Sequence, residues 1–416
     1  MATDIKDVTT HPIEAAAVTG LLGTRPRMLA LGEPTHGEDA LLGVRNALFR
    51  ELVEREGYRT ISLETDCMRG LLVDDHVTTG AGTLDAVMAQ GFSHGWGASP
   101  ANRELVRWMR EFNDGRPASD RLRFAGFDGP LEITGAESPR EALTALRDHL
   151  AARVDTDLLH ATCPEETLDR LLGDDERWTD PAAMRDPSRS VGQSPEATRL
   201  RLLADDLVAL LDARPPRPAV TGSPDDADRA RLYARTATGL LRYHYWLADS
   251  SASRMARLVS LRDRMMADNL LALAGADRAG VLVHAHNGHL QRNRSSMRMD
   301  GMPVEWWSAG SIVSDRLGGH YAFLATAIGT IRHRGVDTPP PDTVEGLLYA
   351  GPATTALVDA KGLAAACDTA GTAPRVSPWF GYAPLDPTHL ADCDGIVFVK
   401  DVGDVEPTKA GKSTQD

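Results

Sequence analysis

Three stretches of this chain place ionisable side chains directly after short apolar runs, and those residue types suit acid–base chemistry. The first is Gly32-Glu33-Pro34-Thr35-His36-Gly37-Glu38, which follows the apolar residues 28–31. The second is Ser62-Leu63-Glu64-Thr65-Asp66, and the third is Val281-Leu282-Val283-His284-Ala285-His286-Asn287-Gly288-His289. A neutral imidazole near pH 7 takes a proton from water, while a neighbouring carboxylate orients the ring and stabilises the resulting imidazolium. A second histidine or an arginine then stabilises an oxyanion or protonates a leaving alkoxide. Glu33 and His36 read together as a chemical pair. Glu38 alone reads as a helix cap, where an acid gains about 0.3–1 kcal/mol. In an extended strand His284 and His286 share a face, and His289 follows the turn at Gly288.

Two arginines stand out of place. Arg45 falls within the apolar stripe Leu41, Val44, Leu48 and Leu52, and Arg262 within the stripe Met255, Val259, Met266, Leu270 and Leu273. A stripe arginine must snorkel outward or find a carboxylate, because an unpaired buried charge is costly. Glu33 and Glu64 are the natural partners. A serine nucleophile is not favoured: no GxSxG occurs, and Ser93 in Phe-Ser-His-Gly is a poor substitute. Cys67 lacks a Cys–His signature. Glu33, His36, Glu64, His286 and His289 also form an N/O set adequate for zinc, but the two arginines disfavour a cation, so no metal and no cofactor is expected. The same acid–base set also suits an elimination or cyclisation from which water is kept out. A pure binding protein is the weakest alternative, since carboxylates and histidines at three strand ends are an odd choice for binding alone.

The elements that must carry these residues alternate. Strands are predicted at 28–31, 60–63 and 122–127, with helices over 37–56 and 102–113, a βαβ pattern that implies parallel strands. From about 139 to 274 the pattern is helical, with connectors at 180–195 and 215–227 rich in Asp, Ser, Gly and Pro. Strand signals resume at 280–284, 321–331, 355–358 and 396–399. The expected fold is therefore α/β: a central, mostly parallel sheet flanked by helices, with a large all-helical insertion. The expected division is 1–136 for the first part of the α/β core, 137–275 for the insertion, 276–400 for the second part and 401–416 for a disordered tail. In such sheets ligands gather at the carboxyl ends of the strands, where all three ionisable stretches fall. The loop 91–100 adds Phe92, His94 and Trp96 as candidates to face a substrate.

Composition narrows the partners. The 416 residues are 42% hydrophobic and 25% charged, with a net charge of -14. That balance argues against nucleic acid or an anionic membrane as partner, and leaves a small molecule. Cys67, Cys163, Cys367 and Cys393 lie far apart with no CxxC, which predicts a reduced, cytoplasmic chain with neither zinc knuckle nor disulfide framework. The first residues lack a signal-peptide core, and no run approaches the roughly 18 apolar residues of a membrane span.

With these motifs in order, the sequence resembles the erythromycin esterase family. The resemblance rests on Glu33, Thr35, His36 and Gly37, on Arg45, and on Glu64 in Ser-Leu-Glu-Thr. It continues through Trp108-x-Arg110-x-x-Asn113, through Arg262-Asp263 with Met266 and Asn269, and through the late histidine cluster, spanning roughly residues 25–400. It implies a hydrolase that opens an ester or macrolactone of a natural product, in a setting of antibiotic resistance or secondary metabolism. It implies His36 as the base that activates water, with Glu33, Glu64, Arg45, His286 and His289 around it. Arg262, His284, Phe92, His94 and Trp96 are the expected substrate-binding residues.

Overall fold

The computed structural model describes residues 8–132, 135–213, 224–276, 279–299, 301–377 and 379–403. The tail expected from 401 is outside them beyond 403, and Asp401 still belongs to the last strand. The connector expected at 215–227 is outside them as far as 223, and the helix Pro224–Leu247 begins within it.

The strands are β1 (Thr10–His11), β2 (Met28–Glu33), β3 (Thr60–Asp66), β4 (Arg123–Asp128), the short pair β5 (Leu131–Glu132) and β6 (Gly135–Ala136), and β7 (Val281–His286). They continue with β8 (Arg294–Met299), β9 (Met302–Trp307), β10 (Tyr321–Thr330), β11 (Thr355–Val358) and β12 (Gly395–Asp401). Eight form one sheet in the order β1-β11-β12-β10-β2-β7-β3-β4. From β12 to β4 the neighbours run parallel, and only β11 and β1 join antiparallel. The mostly parallel α/β sheet flanked by helices is the fold the alternation predicted.

Both sheet faces are covered, which is why the central strands read as unbroken apolar runs. Along β2, Met28 and Ala30 pack on one face with Met266 and Leu270 of the helix Arg254–Ala276. Leu29 and Leu31 pack on the other with Leu48, Phe49 and Leu52 of the helix Asp39–Arg55. The same alternation sends Glu33 toward the second face. Glu38 is the residue before that helix, but its carboxylate does not cap it. It bonds instead to His333 Nε2 at 3.2 Å and Arg334 Nε at 3.3 Å.

Strand β7 inserts between β2 and β3, pairing His284 with both Leu31 and Leu63 and setting His286 opposite Glu33. Gly32 makes this close assembly feasible, because a Cβ there would collide with the Asn287 side chain. Asn287 then stitches the edge: its Nδ2 donates to the Thr326 carbonyl at 2.9 Å, and its Oδ1 accepts the Thr326 N–H at 3.1 Å.

Between β6 and β7 the described elements are all helical, from Arg140–Ala151 to Arg254–Ala276. The last of these helices serves two layers. Leu258 and Met265 pack among helical residues, whereas Met266, Leu270 and Ala274 cover the sheet. That placement carries Arg262 and Asp263 to the ends of β3, β4 and β7. No helix among the described residues is long and apolar enough to cross a membrane.

Candidate active site

The carboxyl ends of β2, β3, β7 and β4 converge on one cluster. His36 Nδ1 lies 2.7 Å from Glu33 Oε1, and its Nε2 lies 3.9 Å from Glu64 Oε1. The ring is 42% exposed while Glu33 is buried, so the imidazole faces open space from a carboxylate base. Burial alone would lower the His36 pKa; the charge of Glu64 and the hydrogen bond and charge of Glu33 outweigh it and raise it. Burial pushes Glu33 up, but His284 and His36 pull it down to about 2, so it stays ionised. His284 braces the acid from behind, with Nε2 at 3.2 Å from Glu33 Oε2 and Nδ1 at 3.0 Å from the Leu31 carbonyl.

Glu64 is the hub. It accepts Arg262 Nη2 at 3.0 Å and the His286 backbone N–H at 2.8 Å, and it faces His289 Nε2 at 3.4 Å. Burial opposes its charge, yet His289, His36 and Arg262 hold its pKa far below the carboxylate range. His289 Nδ1 is seated on both Asp263 oxygens at 3.0 Å. Burial lowers His289, but Asp263 and Glu64 overcome it and raise it. His286 goes the other way: burial, then the charges of His36 and His289, push it down to about 4. Its Nδ1 accepts the Gly288 N–H at 3.1 Å, which places its proton on Nε2. The cluster thus holds two histidines whose surroundings favour the charged form beside one whose surroundings oppose it.

Arg262 has the carboxylate partners that its stripe position demands: Asp128, reached by Nη2 at 2.7 Å and by Nε at 3.2 and 3.1 Å, as well as Glu64. Arg262→Met is expected to lower stability by roughly 3–5 kcal/mol, because Glu64 and Asp128 would remain buried without their cation. Denaturant unfolding measures this, and a loss near zero would show the pair to be dispensable. Arg45 departs from expectation. It is 1% exposed, yet among the described residues no carboxylate lies within ion-pair distance. Its guanidinium donates instead to Asn46 Oδ1 at 2.8 and 3.1 Å and to Asn102 Oδ1 at 2.9 Å. Those amides are locked in place by donating to the Ala101 and Trp96 carbonyls. Burial lowers Arg45 to about 10, against the charges of Glu33 and Asp39.

His94 and Trp96 stand beside the cluster, and Phe92 does not. Phe92 is buried, edge-on to Phe124 at 5.6 Å in the core under the sheet, where its apolar ring is removed from water. His94 holds φ 56, a left-handed backbone unusual for a side-chain-bearing residue. Its ring bridges Glu132 at 2.6 Å and Asp128 at 3.3 Å. Trp96 lies 5.4 Å from the His36 ring and 5.5 Å from the His94 ring. These three residues line two adjoining cavities, of about 440 Å³ toward Arg45 and about 680 Å³ toward the late histidines.

Ser93 is spent on structure, its Oγ accepting the Asp66 N–H at 2.9 Å. Burial drives the Cys67 thiol up to about 12, so neither residue offers a nucleophile. Among the described residues no group of three or more His, Cys, Asp or Glu is arranged to hold a metal ion. Asp128 and Glu132 were not singled out from sequence, and Asp263 entered only within the Arg262-Asp263 motif, without a role. Asp128 ends a predicted strand as Glu33 and Glu64 do, so the same signal pointed to it.

The class defined here is an α/β protein with a mostly parallel sheet and a cluster of carboxylates and histidines at its carboxyl edge. The erythromycin esterase family model matches residues 53–402, and the chain belongs to that family. Among solved structures, a Bacillus cereus protein matches with TM-score 0.70 and 16% identity over 95% of each chain. A succinoglycan biosynthesis protein matches with TM-score 0.69 and 16% identity over 96% of this chain and 95% of that one. A mutant of the erythromycin esterase EreC in its open conformation matches with TM-score 0.60 and 18% identity over 92% of each. These identities show a shared fold. No curated protein sequence matches the chain significantly.

Proposed function

We propose that this chain hydrolyses an ester or macrolactone of a natural product by attack of a water molecule that His36 deprotonates. The Glu33–His36 contact carries the reading: Nδ1–H donates to a buried carboxylate, which leaves the Nε2 lone pair of a solvent-reached ring as the base. Water oxygen bonds to the ester carbon, its proton passes to His36, and Glu33 and Glu64 stabilise the imidazolium. The His286 Nε2–H is the neutral donor for the oxyanion. The C–O bond to the alcohol then breaks, and His289, whose charged form Asp263 and Glu64 favour, supplies the proton to the leaving alkoxide. Macrolide resistance or secondary metabolism would be the setting, with a cytoplasmic location.

The second reading keeps the acid–base set and excludes water, giving cyclisation or elimination. The burial of Glu33, Glu64 and His289 favours it, and the exposure of the His36 ring opposes it. One experiment separates them: a panel of macrolactones and simple esters in heavy-oxygen water. Hydrolysis adds one water and puts the label in the new carboxylate; a product of unchanged mass or without label would sink the proposal. The pH profile belongs to the same assay. The base His36 works when deprotonated and the acid His289 when protonated, so the profile should be bell-shaped. Its acid limb should have a midpoint above the ordinary histidine value of about 6.5, and its alkaline limb should follow the loss of the His289 proton.

A further inference from the structure

We infer that residues 379–385, which line the larger cavity together with the β8–β9 hairpin, form a specificity subsite for the apolar, non-reacting body of the ester, with Phe380 as its determinant. The inference rests on the ester-hydrolase reading and names the kind of ester that the site prefers. Phe380 is 70% exposed, an unusual place for a phenyl ring, yet it lines the cavity that also contains His36, Glu64, His286 and His289. The hairpin contributes Met297 and Trp306 to the lining of the same cavity. A bulky apolar group attached to an ester at His36 therefore has one continuous space leading to that ring, and burying the ring against it releases water from both.

The exposure of Phe380 is held, not incidental. On one side Arg375, itself buried, donates to the Ile328 carbonyl at 3.0 Å, the Asp337 carbonyl at 2.6 Å and Tyr382 Oη at 3.0 Å. On the other, the Leu385 N–H donates to buried Glu345 at 2.8 Å. Between them the Ala383 N–H donates to the Pro34 carbonyl at 2.8 Å, which ties the segment to the turn that carries His36. Gly381 is required there, because a Cβ would enter the Trp379 ring. A segment pinned on both sides and to the catalytic turn presents its one free aromatic ring in a fixed position relative to the base. Of the four arginines lining this cavity, Arg262 is paired with Glu64 and Asp128, Arg292 with Asp394 and Arg294 with Glu305, and Arg375 is spent on two carbonyls and the Tyr382 hydroxyl, so each already has its partner.

The test is a chain-length series of p-nitrophenyl esters, acetate, butyrate and octanoate, with wild type, Phe380→Ala and Phe380→Leu. The octanoate-to-acetate ratio of kcat/KM should exceed one in wild type and fall about tenfold in Phe380→Ala, through KM rather than kcat. Phe380→Leu should restore most of it. Calorimetric binding of the non-hydrolysable p-nitrophenyl octyl ether reads the same subsite without turnover, and Phe380→Ala should weaken it about tenfold. An unchanged ratio together with unchanged ether binding overturns the inference. Wild type that turns over no ester defeats the hydrolase reading instead, and the ether measurement still decides whether the subsite exists. As the ring is exposed, an unaltered melting temperature is expected and separates lost binding from lost fold.

Discussion

Replacing His36 with alanine is expected to lower the single-turnover rate by roughly 10²–10⁴, the span of general-base catalysis, or by more where the ring also positions water. Fold and substrate binding should be nearly unaffected, because the ring is 42% exposed and Glu33 keeps its bond to His284. His36→Asn should fare no better, since it retains polarity without basicity. The measurement is burst or single-turnover kinetics on any converted ester, with melting temperature as control. Near-normal turnover in His36→Ala would make this histidine structural. The base would then have to be sought among His284, His286 and His289, which complete the cluster.

Glu64→Gln should be almost as damaging, with a drop in kcat of roughly 10²–10³ as for loss of a preorganised electrostatic group. Glutamine keeps the shape, but its single amide oxygen can accept from only one of Arg262 and the His286 N–H, which sit on different oxygens of Glu64. What it removes is the negative charge that most strongly raises His36 against its burial. The acid limb of the rate profile should therefore move to lower pH while the plateau falls. A purely structural carboxylate would lower the plateau and leave the limb in place, so the profile separates the two roles.

The strand ends were legible because each apolar run stops where an ionisable residue begins, and a parallel sheet has one chemical edge. That logic reached Glu33, Glu64, His284 and His286 and stopped short of Asp128, whose strand reads Arg-Phe-Ala-Gly-Phe-Asp with only one acid to mark it. The β8–β9 hairpin was missed for a different reason. Its strands are amphipathic and partly exposed, but Asp300-Gly301 between them is a strong hairpin dipeptide that a period-two reading would have found. Arg45 shows what periodicity can and cannot say. Its place on an apolar stripe fixed its burial, whereas its partners, Asn46 beside it and Asn102 on another helix, depend on how two helices cross. Phe92 shows the same limit, since a loop position suggested a ligand and packing against Phe124 decided otherwise.

The insertion of β7 between β2 and β3 also constrains how the chain reaches its native state. Glu33 and His284 stand 251 residues apart, and Glu64 and His286 stand 222 apart. During synthesis the slot between the two early strands must remain vacant, with two unpaired edges, until the ribosome has released the region around 281–289. Such long-range closure is slow, and open edges invite pairing with other chains. An N-terminal fragment ending before β7 would carry His36 and both acids yet no completed centre. Such a fragment is expected to be silent, and the docking of β7 brings the late histidines to the early acids before β10 closes the other edge of β2.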